Sequence, residues 1–277
     1  MNAKLAPLHS NLPRPSIYDL PRNPAKPNRW SVPASAHTPA EERLYRKQRL
    51  AAAFRIFARH GYDYGGAGHI TVRDPEHSDR FWVNPHGVYF GHIRVSDLIL
   101  VNHEGDIVEG DGYLNQAAFA IHSELHKARP DVIAAAHTHS TYGKAWSTLG
   151  RLLDPLTQDS CAFYESHSLF AEFNGVVLDA SEGKKIAKAL GPRNKALILQ
   201  NHGFLTVGAS VEAAVWRYLA FDNAAQAQLL AEAAGTPRRI EHEVARRTEI
   251  LGNEAFETLS FLPQWDRIIR EEPDFLE

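Results

Sequence analysis

The chain contains a single cysteine, Cys161, so no internal disulfide can form and stability has to come from packing. A reducing, cytoplasmic setting is the simplest expectation. No stretch approaches the roughly 18 consecutive apolar residues that a spanning helix requires, and the first residues carry no apolar signal core, so no membrane partner is expected. Charge of one sign is lacking too: 30 Lys and Arg face 33 Asp and Glu, a formal net charge of −3. That balance leaves no electrostatic footprint for nucleic acid or an anionic surface. With 277 residues, 44% of them hydrophobic, the chain can bury a full core. Against these scarcities stand 15 histidines.

Proline divides the chain. Eight of the 16 prolines, at 7, 13, 15, 21, 24, 27, 33 and 39, fall near the start, and each fixes φ and removes a backbone donor. Residues 1–37 therefore read as an extended arm, with Ile17, Tyr18, Leu20 and Trp30 to pack against its own domain or a neighbour. A disordered tail fits the same residues. A globular part over 38–235 and a charged extension over 236–277 follow.

Thr38-Pro39-Ala40-Glu41 is a capping box that opens a helix, and Gly61 closes it. Leu44, Ala51, Phe54 and Phe57 share one face at helical spacing. His69–Val72, Phe81–Asn84, Leu98–Asn102 and Asp106–Val108 are short β-type runs separated by turn residues. A helix over Asn115–Ala128 precedes the apolar run Val132–Ala136, a buried strand ending at His137. A helical segment over Thr141–Leu149 and an irregular stretch to about Phe173 come next. Val176–Leu178 reads as a strand and Ser181–Leu190 as a helix capped by Ser181. Strands over Ala196–Leu199 and Phe204–Val207 flank Gln200-Asn201-His202-Gly203, and a long helix runs from Ser210 to Ala234. A further helix is expected near Glu241–Leu251. The pattern is α+β or three-layered, with a central, largely antiparallel sheet.

His137-Thr138-His139 lies at the end of the buried strand. In extended chain, residues i and i+2 point to the same face, so both imidazoles can converge on one ion. His202 sits between two other apolar strands, beside a glycine that permits a sharp turn. Three imidazoles from two strand ends could form a facial set on a divalent cation with open positions left for substrate. The spacing alone leaves open that these are ordinary histidines at strand ends.

The run Ala128-Arg129-Pro130-Asp131 through His137-Thr138-His139, followed by Ala196 through Gly203, resembles the class II aldolase/adducin family. Gly68-His69-Ile70-Thr71-Val72-Arg73-Asp74, Asn84-Pro85-His86-Gly87 and Leu190-Gly191-Pro192 are similar to its other landmarks, in order. The resemblance covers about residues 40–235. It implies a three-layer α/β/α fold with a mostly antiparallel central sheet. It also implies a homotetramer with active sites between subunits, and His137, His139 and His202 as the metal ligands.

Departures from the family pattern bear on the reaction. Sugar-phosphate aldolases of the family carry Ser-Ser-Glu where this chain has Gln116, Ala117 and Ala118, and alanine cannot transfer a proton. Histidine stands at 69 and 86, where the family has other polar residues of a phosphate site. A metal kept without its base suggests chemistry carried by the ion. Within the family the chain resembles the non-haem iron oxygenases of aminocoumarin-antibiotic biosynthesis. That implies Fe(II)-dependent oxidative decarboxylation of an aryl 2-oxo acid, such as a prenylated 4-hydroxyphenylpyruvate, with dioxygen as co-substrate. The alternatives are a Zn(II)-dependent class II aldolase-like lyase or decarboxylase, and a non-catalytic adducin-like interaction module.

Further candidates surround this set. Glu165 or His167 could replace the missing acid/base, and Gln158 and Tyr164 lie in the same irregular segment. His69, His86, Gly87, Gln116 and Tyr142 are candidate substrate contacts. His122 and His126 are four apart on one helix, and the simpler expectation turns one to the core and the other to solvent. Trp146, Phe163, Phe170 and Phe173 could line an apolar pocket or serve as core. Cys161 is expected to be an inert buried thiol.

Overall fold

The structure, a computed structural model, describes residues 38–177 and 179–277. The arm expected over 1–37, with Ile17, Tyr18, Leu20 and Trp30, lies outside the described residues, as does Leu178.

Helix α1 (Pro39–Arg59) starts as its capping box requires: Thr38 accepts from the Glu41 amide, and the Glu41 carboxylate accepts from the Thr38 amide at 2.9 Å. Ala51, Phe54 and Phe57 are buried as expected, but Leu44 is half exposed. Strands β1 (His69–Arg73), β2 (Arg80–Val83), β3 (Ile99–Asn102) and β4 (Ile107–Glu109) form the expected antiparallel meander. Helix α2 (Gln116–Ala128) is capped by Asn115 and leads to β5 (Ala134–Thr138) and α3 (Thr141–Ser147). The remaining elements are β6 (His167–Phe170), α4 (Ala180–Leu190), β7 (Ala196–Leu199), β8 (Gly203–Gly208), α5 (Val211–Ala234), α6 (His242–Thr248) and α7 (Glu254–Glu271).

Among the described residues eight strands join one sheet in the order β4-β3-β2-β1-β5-β8-β7-β6, antiparallel except for the β6–β7 pair. Strand alternation sends side chains to two separate cores. Ile70, Val72, Ala134, Ala136, Ile198 and Phe204 face α1, α5 and α7. Ala135, Leu197, Leu199, Leu205 and Val207 face α2 and α4. Those two helices pack backbone to backbone: a Cβ at Gly183 would collide with the Ala120 carbonyl. The result is a three-layer α/β/α domain.

Four expectations need correction. No strand forms at 176–177: Val176 is largely exposed, and only Val177 turns inward, into the α4-side core. The cap of α4 is Asp179, whose carboxylate accepts from the amides of Ser181 and Glu182, so Ser181 is a first-turn residue. The stretch read as irregular contains β6, an edge strand held by parallel pairing to β7. Beyond Gly235 the charged segment folds back, and α7 contributes Phe261 and Ile268, with Phe275 after it, to the core beneath α1 and α5. Pro263 sits inside α7 on its exposed side. No helix among the described residues is long and apolar enough to cross a membrane.

Candidate metal centre

β5 carries His137 on the face covered by α2 and α4, because it alternates with Ala136 toward the other core. His139, two residues on, returns to the same side. His202 comes from the turn between β7 and β8. Asn201 there takes φ +57°, and Gly203 takes φ +156°. A Cβ at residue 203 would lie 2.9 Å from the Thr138 carbonyl oxygen, so only glycine lets the two strand ends approach this closely. The antiparallel register pairs Thr138 with Phe204 and brings His202 against the His137-Thr138-His139 segment.

The three rings meet. Centroids lie 5.3 Å apart for His137 and His139, 4.6 Å for His137 and His202, and 4.9 Å for His139 and His202. One ring nitrogen from each falls within 4.8 Å of the others. His137 Nδ1 is 2.7 Å from the Phe204 carbonyl oxygen, to which it donates, leaving Nε2 with its lone pair for an ion. Burial, reinforced by the neighbouring imidazoles of His202, His69 and His139, holds His137 well below the ordinary histidine range. Burial with His139 takes His202 down to about 4, and burial with Lys144 lowers His139. All three rings are therefore neutral at physiological pH, the state a ligand needs. Three neutral nitrogen donors on one side of a cavity fit a divalent ion such as Zn(II) or Fe(II).

The cavity in front of them measures about 340 Å³. Ala67, Ala117, Ile121, Phe173, Val176 and Val177 supply its apolar wall, and His69, Asn115, Lys144 and Asn201 supply further polar groups. Among the described residues, none that lines it is acidic. Ala118, where a proton-transferring glutamate would stand, is a buried core residue.

His69 pairs with His137 across β1 and β5, with ring centroids 5.2 Å apart. It is only 3% exposed, yet neither ring nitrogen has a hydrogen-bond partner among the described residues. Buried polar atoms without partners are uncommon and costly, so a bound molecule in the cavity is the natural partner for this ring. Behind His69 stands His122, 4.3 Å away between centroids. Both His122 and His126 are buried, contrary to the expectation that one would face solvent. The reason is Thr71 on β1, whose hydroxyl lies 2.7 Å from His122 Nδ1 and 2.9 Å from His126 Nε2. A hydroxyl has one proton, so at least one of these imidazoles donates to it.

The remaining candidates disperse. Gln116 is exposed and does not line the cavity, whereas its neighbours Asn115 and Ala117 do. His86 and Gly87 line a separate cavity with Asp63, Asn84 and Tyr89. Tyr142 lies in a cavity formed with α5 residues including Trp216 and Asp222, and its hydroxyl accepts from Gln226 at 2.9 Å. Glu165 is exposed and ion-paired with Arg246 at 3.4 Å. His167 has both nitrogens engaged: Nδ1 donates to the Phe163 carbonyl at 2.8 Å, and Nε2 accepts from the Leu153 amide at 3.1 Å. Neither reaches the metal cavity of its own chain. Tyr164 bonds His242, Cys161 is a buried thiol, Phe173 lines the cavity, and Trp146 and Phe163 are core on the other face.

Sequence reasoning missed the support behind the strand. The Tyr218 hydroxyl, from α5, accepts from Thr138 Oγ1 at 2.7 Å. Asp222, one turn on, accepts from Ser140 Oγ at 2.6 Å, the Gly143 amide at 2.9 Å and the Tyr62 hydroxyl at 2.9 Å. Burial raises the Asp222 pKa, opposed by these donors. Lys144 was missed as well, since a lysine on a short helix carries no sequence signal. Asn115 could have been found as a helix cap, and Asn201 by its place beside His202.

Comparison with known proteins places these features. The model of the class II aldolase and adducin N-terminal domain matches residues 48–229. The chain is 47% identical over 240 residues to "Decarboxylase NovR" of Streptomyces niveus, covering 86% of this chain and 88% of that protein. It is 45% identical to "4-hydroxy-3-prenylphenylpyruvate oxygenase/4-hydroxy-3-prenylbenzoate synthase" of Streptomyces roseochromogenus subsp. oscitans, covering 86% of each. Among solved structures it is similar to an L-fuculose 1-phosphate aldolase from Glaciozyma antarctica PI12. There the TM-score is 0.82 and the identity 44%, over 88% of this chain and 97% of that one.

Proposed function

The chain belongs to the class II aldolase and adducin family, and from that premise we propose that it is an Fe(II)-dependent oxygenase that decarboxylates an aryl 2-oxo acid, such as a prenylated 4-hydroxyphenylpyruvate, in antibiotic biosynthesis. One observation carries the reading. The cavity joins three neutral imidazoles to an apolar wall and has no acidic residue among those lining it, with alanine at 118. The aldolases of the family use a glutamate as the base at the reacting carbon, and among the described residues no carboxylate lines this cavity.

In this reading His137, His139 and His202 hold the ion. When bound, it supplies Lewis acidity and, as Fe(II), the redox capacity for dioxygen. His137 is kept in one tautomer by the Phe204 carbonyl. His69 presents its unpartnered nitrogens to the substrate, and Phe173, Val176 and Val177 offer apolar surface to its aryl portion. One aryl 2-oxo acid and one dioxygen give carbon dioxide and the 2-hydroxy acid one carbon shorter. A second dioxygen takes that acid to the benzoate, carbon dioxide and water. We further propose a homotetramer. Glu165, exposed and remote from its own cavity, would act as acid/base only across a subunit interface, and the same holds for His167.

Oxygen consumption tests the reading. Protein reconstituted with Fe(II) and given 4-hydroxyphenylpyruvate or its 3-prenyl derivative is expected to consume one dioxygen per carbon dioxide released. Product formed at the same rate without oxygen would end this proposal.

A second reading is favoured by the 44% identity to the L-fuculose 1-phosphate aldolase structure. It makes the chain a Zn(II)-dependent lyase. Release of a triose phosphate from L-fuculose 1-phosphate by Zn(II)-loaded protein would establish it in place of the first.

A further inference from the structure

One wall of the metal cavity carries a cation with no counter-ion among the described residues. Lys144 lines the cavity from α3, together with His69, His137, His139 and His202. It makes no ion pair among the described residues. Its ammonium lies 4.7 Å from the centroid of the Tyr64 ring, a cation–π contact that holds the long side chain in place without neutralising it. Among the described residues no acid lines the cavity to compensate it.

The other surfaces of the cavity sharpen what this charge is for. Ile121, Phe173, Val176 and Val177 form an apolar wall, and the buried His69 ring nearby lacks any protein partner for its two nitrogens. An uncompensated ammonium, an orphaned imidazole and an apolar wall around one volume are complementary to a small amphipathic anion. A neutral ligand of the same shape would leave the ammonium unpaired.

We propose that Lys144 is a specificity-determining residue of this site, pairing with the carboxylate of the substrate and selecting acids over the corresponding neutral ketones. The proposal rests on the preceding reading that the substrate is an aryl 2-oxo acid, and it adds the residue that recognises the acid group. Lysine suits this role as a point charge: it tolerates rotation of the carboxylate while the ion and His69 set the orientation.

The test is calorimetric binding to the full chain, metal-free and loaded with redox-silent Zn(II). Two probes are compared: 4-hydroxyphenylpyruvate, and 4-hydroxyphenylacetone, which lacks the carboxylate. In the parent protein the acid is expected to bind more tightly than the ketone. Lys144→Met keeps the length and apolar stem of the side chain. It is expected to weaken the acid about 10- to 100-fold, the range for losing one charge-assisted hydrogen bond, and to leave the ketone within twofold. Lys144→Arg restores the charge and is expected to recover most of the affinity. Added salt should weaken acid binding in the parent more than in Lys144→Met.

Equal acid affinity in the parent and Lys144→Met would overturn this assignment and leave the oxo-acid reading intact. Loss of both probes together in Lys144→Met would also overturn it, marking a packing role. A parent protein that binds neither probe would remove the oxo-acid reading itself, and this inference with it. Because Lys144 is only partly buried and makes no hydrogen bond to another element, the variants are expected to fold. Circular dichroism and Zn(II) content of each variant check this.

Discussion

The hydroxyl of Tyr218 donates to the backbone carbonyl of Thr138 at 2.9 Å, and Thr138 is the residue that separates His137 from His139. Helix α5, on the far side of the sheet from the cavity, thereby holds the backbone from which two of the three imidazoles project. Asp222 extends the grip to Ser140 and the Gly143 amide.

Tyr218→Phe removes this bond together with the one the same hydroxyl accepts from Thr138 Oγ1. We expect a stability loss of about 1–3 kcal/mol, the usual range when buried hydrogen-bond partners are left unpaired. Metal affinity should fall about 10-fold or more, as for other groups that orient ligands from behind. Titration of metal-free protein with Zn(II) against a chelator checks it; unchanged affinity with a lowered melting point would mean that α5 stabilises the fold without positioning the histidines.

Gly203→Ala is expected to damage the site through the backbone. The new Cβ would sit 2.9 Å from the Thr138 oxygen in a backbone conformation that L-residues avoid. The expected cost is about 1–3 kcal/mol in urea unfolding, together with lower bound metal. Wild-type stability in this variant would show that the β7–β8 turn relaxes freely.

Acid should weaken the metal-free protein steeply. His202 is lowered to about 4 and His126 to about 3, while burial holds His69, His122 and His137 well below the ordinary range. In the unfolded chain each titrates near 6.5, so below that pH the unfolded state binds more protons than the folded one. No penalty exists above about pH 7. As the pH falls, each such group removes about 1.4 kcal/mol per unit until it protonates in the folded state, which for His202 is near 4. Urea midpoints are therefore expected to drop sharply between pH 7 and pH 5.5, and a flat profile across that window would contradict the burial of these rings.

Much of the fold was legible where the signal is local. The Thr38 capping box, the turn residues between β1 and β4, and Gly235 after α5 each act within a few residues. What escaped depends on distant partners. β6 has no clean alternation of its own and exists because its backbone pairs with β7. α7 is interrupted by Pro263 and charged along much of its length. It is held by Phe261 and Ile268 against elements far away in sequence. One of His122 and His126 was expected to face solvent, yet both are drawn inward by one hydroxyl on another element.

By itself, the amino-acid order determined which atoms are available and how they alternate. Residues 137 and 139 share a face because strand geometry has period two, and residue 203 had to be a glycine for its neighbour to approach. Only the folded chain decided which of 15 histidines share a cavity, that Lys144 faces them without a counter-ion among the described residues, and that Glu165 and His167 do not join them. The reason is range: alternation and turns are properties of neighbouring bonds, whereas a shared cavity depends on strand register and layer packing set by contacts across the whole domain.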